Sequence, residues 1–305
     1  RGKHNNLEED LSTRDFTMNA LAYSDEDGLI DYNTGIRDIN NKIIKVNGED
    51  DEIFVNDPLR ILRAIRLSAE YGMRIDPETQ EYMNEDKDLL KDVAPERVRD
   101  ELCKLLVVPR ADFYIKKYFE IFLEVLPELS LLEGFNQNDP HHIYDALEHT
   151  YVTLKVVEPR LDLRLAALFH DIAKPYTYTK KADGTASYEE HGKKGAEITR
   201  EIMNRLKFNK KMIQKVTKLV EFHAYEVPEN EMRIKNFLTN FGSENIEDLF
   251  VFIFEENGNV FGWYLPEGIE ENGIINECWL MKENKEVHEL KELEMIDTTQ
   301  MDQEE

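Results

Sequence analysis

Apolar residues recur at helical spacing along most of the chain. The pattern begins at Pro58 and returns in a second helical unit from Ile143 to about residue 224, which a turn-rich stretch interrupts at Lys180–Gly184. Residues Pro127 to Pro140 are predicted to form a linker. Further helices are predicted over residues 77–84, 95–107, 111–124, 231–240 and 244–256.

Short alternating runs precede the helical part of the chain. Gly28–Tyr32 and Ile43–Val46 flank a polar turn at Asn33–Gly35, and Asn47-Gly48 is predicted to form a following turn. The pattern predicts a β-hairpin or two short strands. Because two strands make a poor independent sheet, we expect them to belong to a larger sheet whose other strands precede Arg1. The predicted fold is therefore mainly α, with a short β segment near the start.

Composition limits the class of protein. A chain of 305 residues with 41% hydrophobic residues is long enough for two or three domains with their own cores. No apolar run approaches the 18 residues of a membrane span, and the polar start is unlike a signal peptide. Two cysteines are too few for a disulfide framework. These features predict a cytoplasmic protein.

The net charge of −25 argues at first against nucleic-acid binding, but the charge is unevenly distributed. Residues 224–305 hold 21 acidic and 5 basic residues, whereas the stretch from 193 to 218 is basic. That stretch is a candidate for contact with a tRNA backbone; the alternative is an ordinary solvated helix face. Its basic residues are Lys193, Lys194, Arg200, Arg205, Lys207, Lys210, Lys211, Lys215 and Lys218.

Four segments in the first third of the chain carry recognisable motifs. They are Leu11–Tyr23, Asp31–Val46, Asn56–Arg66 and Pro95–Leu102. In this order they resemble the motifs of the tRNA nucleotidyltransferases (CCA-adding enzymes) and the related bacterial poly(A) polymerases. The resemblance implies an α/β nucleotidyltransferase head followed by a helical neck. It also implies that CTP and ATP are joined to the tRNA 3′ end with Mg²⁺.

The resemblance assigns nucleotide-binding roles residue by residue. Asp57 and Arg60, one helical turn apart, can present acceptors and planar donors to the edge of a base. The other nucleotide-binding residues that it implies are Arg14, Arg63 and Arg66, which would hold the triphosphate. The alternative is that the arginine stripe is a solvated helix face. Two positions depart from the family pattern, because Thr13 stands for an arginine and Asn56 for a glutamate.

Nucleotidyl transfer also needs metal-bridged carboxylates. In the family an Asp-x-Asp pair precedes the first of these motifs, whereas here Asp25-Glu26-Asp27-Gly28 follows it. We interpret these residues as a turn, in which Asp and Gly are expected on conformational grounds. The chain is therefore expected to lack most of the catalytic head and its Mg²⁺ ligands. It would be a fragment, or a separate polypeptide would carry the missing head.

A second set of chemical groups lies in the second helical unit. The adjacent pair His170-Asp171, with His149 before it and His191 and His223 after it, resembles the HD superfamily of metal-dependent phosphohydrolases. Imidazoles and a carboxylate from separate helices can bind a divalent metal ion, which activates water towards phosphate esters. Lys174 is predicted to meet the substrate phosphate. Glu256 is the best candidate for a last ligand. The alternatives are structural histidines, or a metal site that serves as a scaffold.

These observations predict four segments. They are a head remnant at 1–50, a helical neck at 51–128 for nucleotide recognition and RNA binding, an HD domain at 140–257, and an acidic tail at 258–305. The preferred function is that of a tRNA nucleotidyltransferase, incomplete without its carboxylates. One alternative is an HD phosphohydrolase acting on nucleotides or 2′,3′-cyclic phosphates. Another is a non-catalytic tRNA-binding or complementing subunit.

Overall fold

A computed structural model describes residues 6–48, 52–137, 145–181 and 186–224, and the backbone of 279–280 and 296–297. The chain divides into two compact units, Arg1–Ser130 with Asn204–Phe208, and Leu131–Met203 with Asn209–Glu305. The helices predicted at 231–240 and 244–256 lie outside the described residues, as does Glu256. In the described ranges, no helix has the length and apolar character needed to cross a membrane.

Helices dominate the first unit, as the periodicity predicts. They are α1 (Leu7–Ser12), α2 (Gly35–Asn40), α3 (Ile53–Asn56), α4 (Leu59–Tyr71), α5 (Pro77–Glu85), α6 (Pro95–Leu106), α7 (Ala111–Lys117) and α8 (Phe119–Leu123). Short 3-10 helices occur at Thr17–Asn19, Lys87–Asp92 and Pro127–Leu132. The last of these lies in the stretch predicted to be a linker.

The strands of the first unit correct one prediction. Leu21–Ser24 (β1) pairs antiparallel with Gly28–Asp31 (β2), so the hairpin lies earlier than expected. Ile43–Ile44 (β3) pairs in parallel with Arg74–Ile75 (β4). The two predicted strands exist but do not pair with each other, because α2 lies between them and a distant segment supplies the partner of β3.

The core of the first unit forms around α4. Leu62 and Ile65 are buried on the face of α4 that packs against α6, where Leu102 and Leu105 are buried in turn. Gly72 ends α4 in the left-handed conformation at φ 62°, which glycine adopts without steric cost and which turns the chain towards β4. The arginines of α4 form a stripe beside this apolar face.

The second unit is also helical. Its elements are α9 (Ala146–Val156), α10 (Leu161–Phe169), α11 (Lys174–Thr177), β5 (Thr179–Lys180), β6 (Ala186–Ser187), α12 (His191–Arg205) and α13 (Lys210–Phe222). Strands β5 and β6 pair antiparallel around the predicted turn. Two further strands, β7 (Trp279–Leu280) and β8 (Ile296–Asp297), pair antiparallel.

Local capping explains where two helices of the second unit begin. The Asp145 side chain accepts a hydrogen bond from Glu148 N at the start of α9, and Asn209 does the same for Met212 N at the start of α13. Helix α10 is buried along its length and packs against both α9 and α13. The predicted histidines therefore stand on or beside helices that share one core.

Candidate functional site

Charged side chains from three segments of the first unit line a cleft of about 230 Å³. Its lining consists of Arg14, Asp15, Asp57, Leu59, Arg60, Arg63 and Arg97. Four guanidinium groups thus face two carboxylates. Four of the five predicted nucleotide-binding residues lie at this cleft. Its surplus of positive charge suits a polyanionic ligand.

Among the arginines that line this cleft, Arg97 is the one to which the sequence prediction assigned no role. Its Nη1 and Nη2 atoms lie 3.1 and 2.8 Å from Oδ1 and Oδ2 of Asp57, a bidentate pair. The signal was present, because Arg97 is within the motif at Pro95–Leu102. What the sequence does not show is that the start of α6 meets the start of α4.

The arginines on α4 differ in their surroundings. Arg60 Nη2 donates to Thr13 O at 3.1 Å, so the residue that departs from the family pattern contributes through its backbone. Arg63 Nε lies 2.8 Å from Asp15 Oδ2, and its side chain is 45% exposed. Both arginines are held at the cleft by groups of the Leu11–Tyr23 motif.

Arg66 is not among the residues that line the cleft. Its side chain is 11% exposed, and Nε lies 2.6 Å from Oε2 of Glu101, which is 7% exposed. Nη1 also pairs with Glu70. The structure thus places Arg66 between α4 and α6, where its contacts join the two helices.

The residues Asp25 to Asp27 form the turn between β1 and β2, as predicted. Asp27 N donates to Ser24 Oγ at 2.9 Å, and Ser24 Oγ in turn donates to Asp27 Oδ2 at 3.1 Å. These contacts are typical of a turn. Neither aspartate is among the residues that line the arginine cleft.

In the second unit, four imidazoles surround the carboxylate of Asp171. On one side, the Nε2 atoms of His149 and His170 lie 3.7 and 3.2 Å from Oδ2. On the other side, those of His191 and His223 lie 3.7 and 3.5 Å from Oδ1. The structure therefore brings together all five residues predicted as metal ligands. They form two groups that share Asp171.

Backbone carbonyl groups orient three of these imidazoles. The Nδ1 atoms of His170, His191 and His223 lie 2.9, 2.7 and 2.7 Å from the carbonyl oxygens of Ala167, Tyr188 and Val220. Because a carbonyl oxygen can only accept, Nδ1 must carry the proton. In the neutral ring this leaves the Nε2 lone pair directed at the centre, as a metal ligand requires.

The spacing of the donor atoms fits a metal ion. His191 Nε2 and His223 Nε2 are 3.1 Å apart, although both present lone pairs. An ion with bonds of about 2.1 Å separates neighbouring donors by about 3.0 to 3.4 Å, and it removes the repulsion between the lone pairs. Imidazole and carboxylate donors together suit a first-row transition metal such as zinc, iron or nickel.

A glycine allows α12 and α13 to bring His191 and His223 together. A Cβ atom at Gly192 would lie 2.4 Å from the carbonyl oxygen of Glu221, closer than such atoms approach. Gly192 follows His191 directly, and Glu221 precedes His223 by two residues. The close approach of the two backbones thus depends on the absence of a side chain.

The charges around Asp171 favour its ionised form. Burial opposes ionisation, but interactions with His170 and Lys174 outweigh it and hold the pKa of the Asp171 carboxyl well below its usual range. The Lys174 ammonium lies 2.9 Å from Asp171 Oδ2 and 2.6 Å from Gln137 Oε1. Lys174 is 2% exposed, so its role in binding a substrate phosphate stays a prediction.

Burial also affects the histidines. It lowers the pKa of His191 to about 4, with a further contribution from His223. The ring is therefore neutral at pH 7, which is the form that binds metal ions.

The basic stretch from 193 to 218 follows α12 and α13. Several of its side chains are engaged within the chain. Arg205 pairs with Glu128, and Lys215 lies 2.6 Å from Asp162 Oδ2. Lys193 and Lys194 pair with Glu190 and Glu197 at the exposed surface.

Three family models match the chain in succession. Residues 1–45 match the poly A polymerase head domain, residues 72–132 the probable RNA- and SrmB-binding site of polymerase A, and residues 144–252 the HD domain. The order of these matches is the order of the motifs in the sequence. The chain thus carries, in this order, segments similar to these three domains.

Curated relatives agree with these matches. The A-adding tRNA nucleotidyltransferase of Deinococcus radiodurans is 34% identical over 246 residues, which cover 76% of this chain and 56% of that protein. The CC-adding tRNA nucleotidyltransferase of Thermus thermophilus is 34% identical over 244 residues, covering 76% and 55%. The chain belongs to the tRNA nucleotidyltransferase and poly(A) polymerase family. It spans just over half the length of these relatives.

Solved structures show the same fold. A tRNA-processing enzyme with CTP aligns with a TM-score of 0.51 at 23% identity, covering 80% of this chain and 61% of that one. The CCA-adding enzyme of Bacillus stearothermophilus in complex with CTP aligns with a TM-score of 0.50 at 24% identity, covering 81% and 54%. The mainly helical fold with small β segments is thereby confirmed.

Proposed function

We propose that the arginine cleft binds CTP and ATP as the nucleotide-recognition part of a tRNA nucleotidyltransferase. The observation that carries the proposal is the convergence of Arg14, Arg60, Arg63 and Arg97 on one cleft beside Asp57. Guanidinium groups match the geometry of phosphate oxygens and keep their charge. The curated relatives that are named as A-adding and CC-adding enzymes support this choice of substrates.

Asp57 and Arg97 supply the selective part of the cleft. Their bidentate pair fixes a carboxylate and a planar row of donors at the wall that also borders a second cavity of about 520 Å³. A base edge with complementary donors and acceptors can exchange hydrogen bonds with such groups, which distinguishes bases without a template. Arg14 and Arg63 are positioned for the phosphates.

Binding measurements on the chain as it stands test this proposal. Calorimetry should detect CTP and ATP and a weaker interaction with GTP and UTP. Arg63→Ala should weaken ATP binding about tenfold, which corresponds to about 1.4 kcal/mol. Arg74→Ala removes an equally positive, exposed residue in β4 and should leave the affinity unchanged. Equal affinity for all four nucleotides in wild type would contradict base selection.

Transfer to tRNA is a proposal for the whole protein. The reaction needs carboxylates that hold Mg²⁺, and Asp25 and Asp27 lie in the turn between β1 and β2. We propose that these carboxylates come from head residues outside this sequence, either upstream in the same protein or on a separate polypeptide. Incorporation of CTP and ATP into tRNA after mixing with a head segment would establish this, and no incorporation with any such segment would argue against it.

A second activity is favoured by the cluster around Asp171. We propose that His149, His170, Asp171, His191 and His223 hold a divalent metal ion and that the second unit hydrolyses phosphate esters, with nucleotides or 2′,3′-cyclic phosphates as substrates. A bound ion supplies Lewis-acid activation of water. The chain's own part is to present neutral Nε2 donors, to keep Asp171 ionised through Lys174, and to hold both in a buried setting.

Metal analysis combined with hydrolysis assays separates this activity from a scaffold role. The purified chain should retain a transition metal after dialysis and should hydrolyse 2′,3′-cyclic AMP. His170→Ala should remove both, whereas His4→Ala, outside the HD segment, should change neither. Metal retained without hydrolysis in wild type would contradict the phosphohydrolase. It would favour the remaining alternative, a tRNA-binding or complementing subunit.

The remaining assignments are proposals of the same kind. The boundaries at 1–50, 51–128, 140–257 and 258–305 are supported by the order of the family matches. A tRNA partner is supported by the match of residues 72–132 to an RNA-binding segment. A cytoplasmic location is supported by the low cysteine content, two residues in 305.

A further inference from the structure

Asn47 is a buried polar residue that the sequence predicts only as part of a turn. Its side chain is almost completely buried, with the residue 3% exposed. The Nδ2 atom lies 2.7 Å from Leu11 O, 3.2 Å from Ser12 O and 3.3 Å from Arg14 O. The Oδ1 atom accepts a hydrogen bond from Asn33 Nδ2 at 2.6 Å. These partners fix the orientation of the amide, since Nδ2 meets only acceptors and Oδ1 meets a donor.

Two of the carbonyl groups that Asn47 contacts, those of Leu11 and Ser12, lie at the end of α1. Helix α1 ends at Ser12, and the last carbonyl groups of a helix have no partner within it. Asn47 supplies donors to them from a segment more than thirty residues away. Leu11 O also accepts a hydrogen bond from Arg14 N at 3.2 Å, and Asn47 gives it a second donor. The carboxamide therefore ties the end of α1 to the segment after β3.

Asn47 also contacts the backbone of a residue that lines the cleft. Arg14 follows the end of α1 and lines the cleft with its side chain, while its carbonyl oxygen accepts from Asn47. The backbone N–H of Asn47 donates to Asp15 O at 3.1 Å, and Thr17 N donates to Lys45 O at 3.0 Å. The backbone that carries Arg14 is thus hydrogen-bonded on both sides of that residue.

We propose that Asn47 is a positioning residue for the cleft, acting on the nucleotide through Arg14. This inference rests on the proposed function of the cleft as a nucleotide site. Asn47 is not among the residues that line the cleft. Its effect is to fix the backbone from which the Arg14 guanidinium projects, because a binding group is effective only when its own support is rigid.

Two variants and one control test the proposal. Asn47→Ala removes the donors, and Asn33→Ala removes only the hydrogen bond to Oδ1. Asn40→Ala, at the exposed end of α2, is the control. We expect Asn47→Ala to weaken ATP binding about tenfold and Asn33→Ala about threefold, with the control unchanged. Thermal unfolding is measured beside affinity. If both variants fold and neither weakens ATP binding, the proposal is overturned. Should Asn47→Ala not fold, Asn33→Ala decides.

A double-mutant cycle distinguishes positioning from general destabilisation. In an Arg14→Ala background, Asn47→Ala should weaken ATP binding only about twofold, because Arg14, the residue that Asn47 positions, is gone. A loss as large as in wild type overturns the proposal. If Arg14→Ala alone leaves ATP binding unchanged, the proposed function of the cleft fails and this inference fails with it.

Discussion

The arginine cleft and the histidine cluster show two ways of assembling charged groups. In the cleft, guanidinium groups such as Arg63, 45% exposed, are each held by a carboxylate or carbonyl of the chain. In the cluster, the Asp171 carboxylate is fully buried, and it is surrounded by imidazoles whose lone pairs converge. Exposed cations keep their hydration, whereas buried donors that face one another need an ion between them.

The difference shows what each region requires of the fold. The cleft is supported by α1, α4, α6 and the segment after β3, and its charges are paired within the chain. The cluster needs helices α12 and α13 to meet at Gly192, and it needs neutral histidines. We therefore expect the cluster to respond more strongly than the cleft to a change in one residue.

The largest effect is expected at the carboxylate that both imidazole pairs share. Asp171→Asn keeps the shape of the side chain but removes the negative charge, and should weaken metal binding about 1000-fold, since losing a hydrogen bond behind a ligand already costs up to about 100-fold. Plasma mass spectrometry after dialysis measures the bound metal. Asp162→Asn, another largely buried carboxylate of this unit, is the control and should retain it. Equal metal content in both variants would argue against a site at Asp171.

Arg66 and Arg63 offer the sharpest contrast within one helix. Arg66→Ala should lower the free energy of unfolding by about 3 kcal/mol, because the buried Glu101 would keep only the exposed Lys104 as a charged partner. Its affinity for ATP should stay close to wild type. Arg63→Ala should weaken ATP binding and leave the free energy of unfolding close to that of wild type. Denaturant unfolding and calorimetry on both variants check the prediction, and a loss of ATP affinity in a well-folded Arg66→Ala would restore the triphosphate role that the resemblance implies.

Acid should destabilise the second unit when its metal is removed. The pKa of His191 in the folded chain is about 4, below its ordinary value of 6.5, so the unfolded chain binds the proton first. The stability contributed by the neutral ring is complete above pH 6.5 and is lost as the pH falls towards 4, by about 3 kcal/mol. Thermal unfolding in EDTA between pH 6.5 and pH 4 measures this loss of stability. His191→Gln should show a smaller loss, and an identical pH profile would contradict the assignment.

The smallest effect is expected at the exposed basic face. Lys193→Ala breaks a surface pair with Glu190 and should leave thermal unfolding unchanged. If the face contacts tRNA, the slope of log affinity against log salt should fall by about one. Filter binding at several salt concentrations tests this, with Lys42→Ala in the first unit as the control. An unchanged slope favours the solvated helix face.

Much of the secondary structure followed from the sequence because its causes are local. The predicted helices at 77–84 and 95–107 match α5 and α6 within a residue or two, since apolar periodicity, Pro77 and Pro95 act within one helix. The partner of β3 was missed for the opposite reason. Strand pairing is chosen by segments far apart in the chain, and β4 lies thirty residues away.

By itself the sequence determined the kinds of chemical group present: guanidiniums in recognisable motifs, and four histidines with one aspartate. The motifs also placed the chain in its family. Only the tertiary structure decided how these groups are used. Arg63 and Arg66 look equivalent in the sequence, yet one faces the cleft and the other joins α4 to α6. Arg97 and Asn47 gain their contacts from helices brought close by burial of apolar faces, an effect summed over the whole core that no local pattern records.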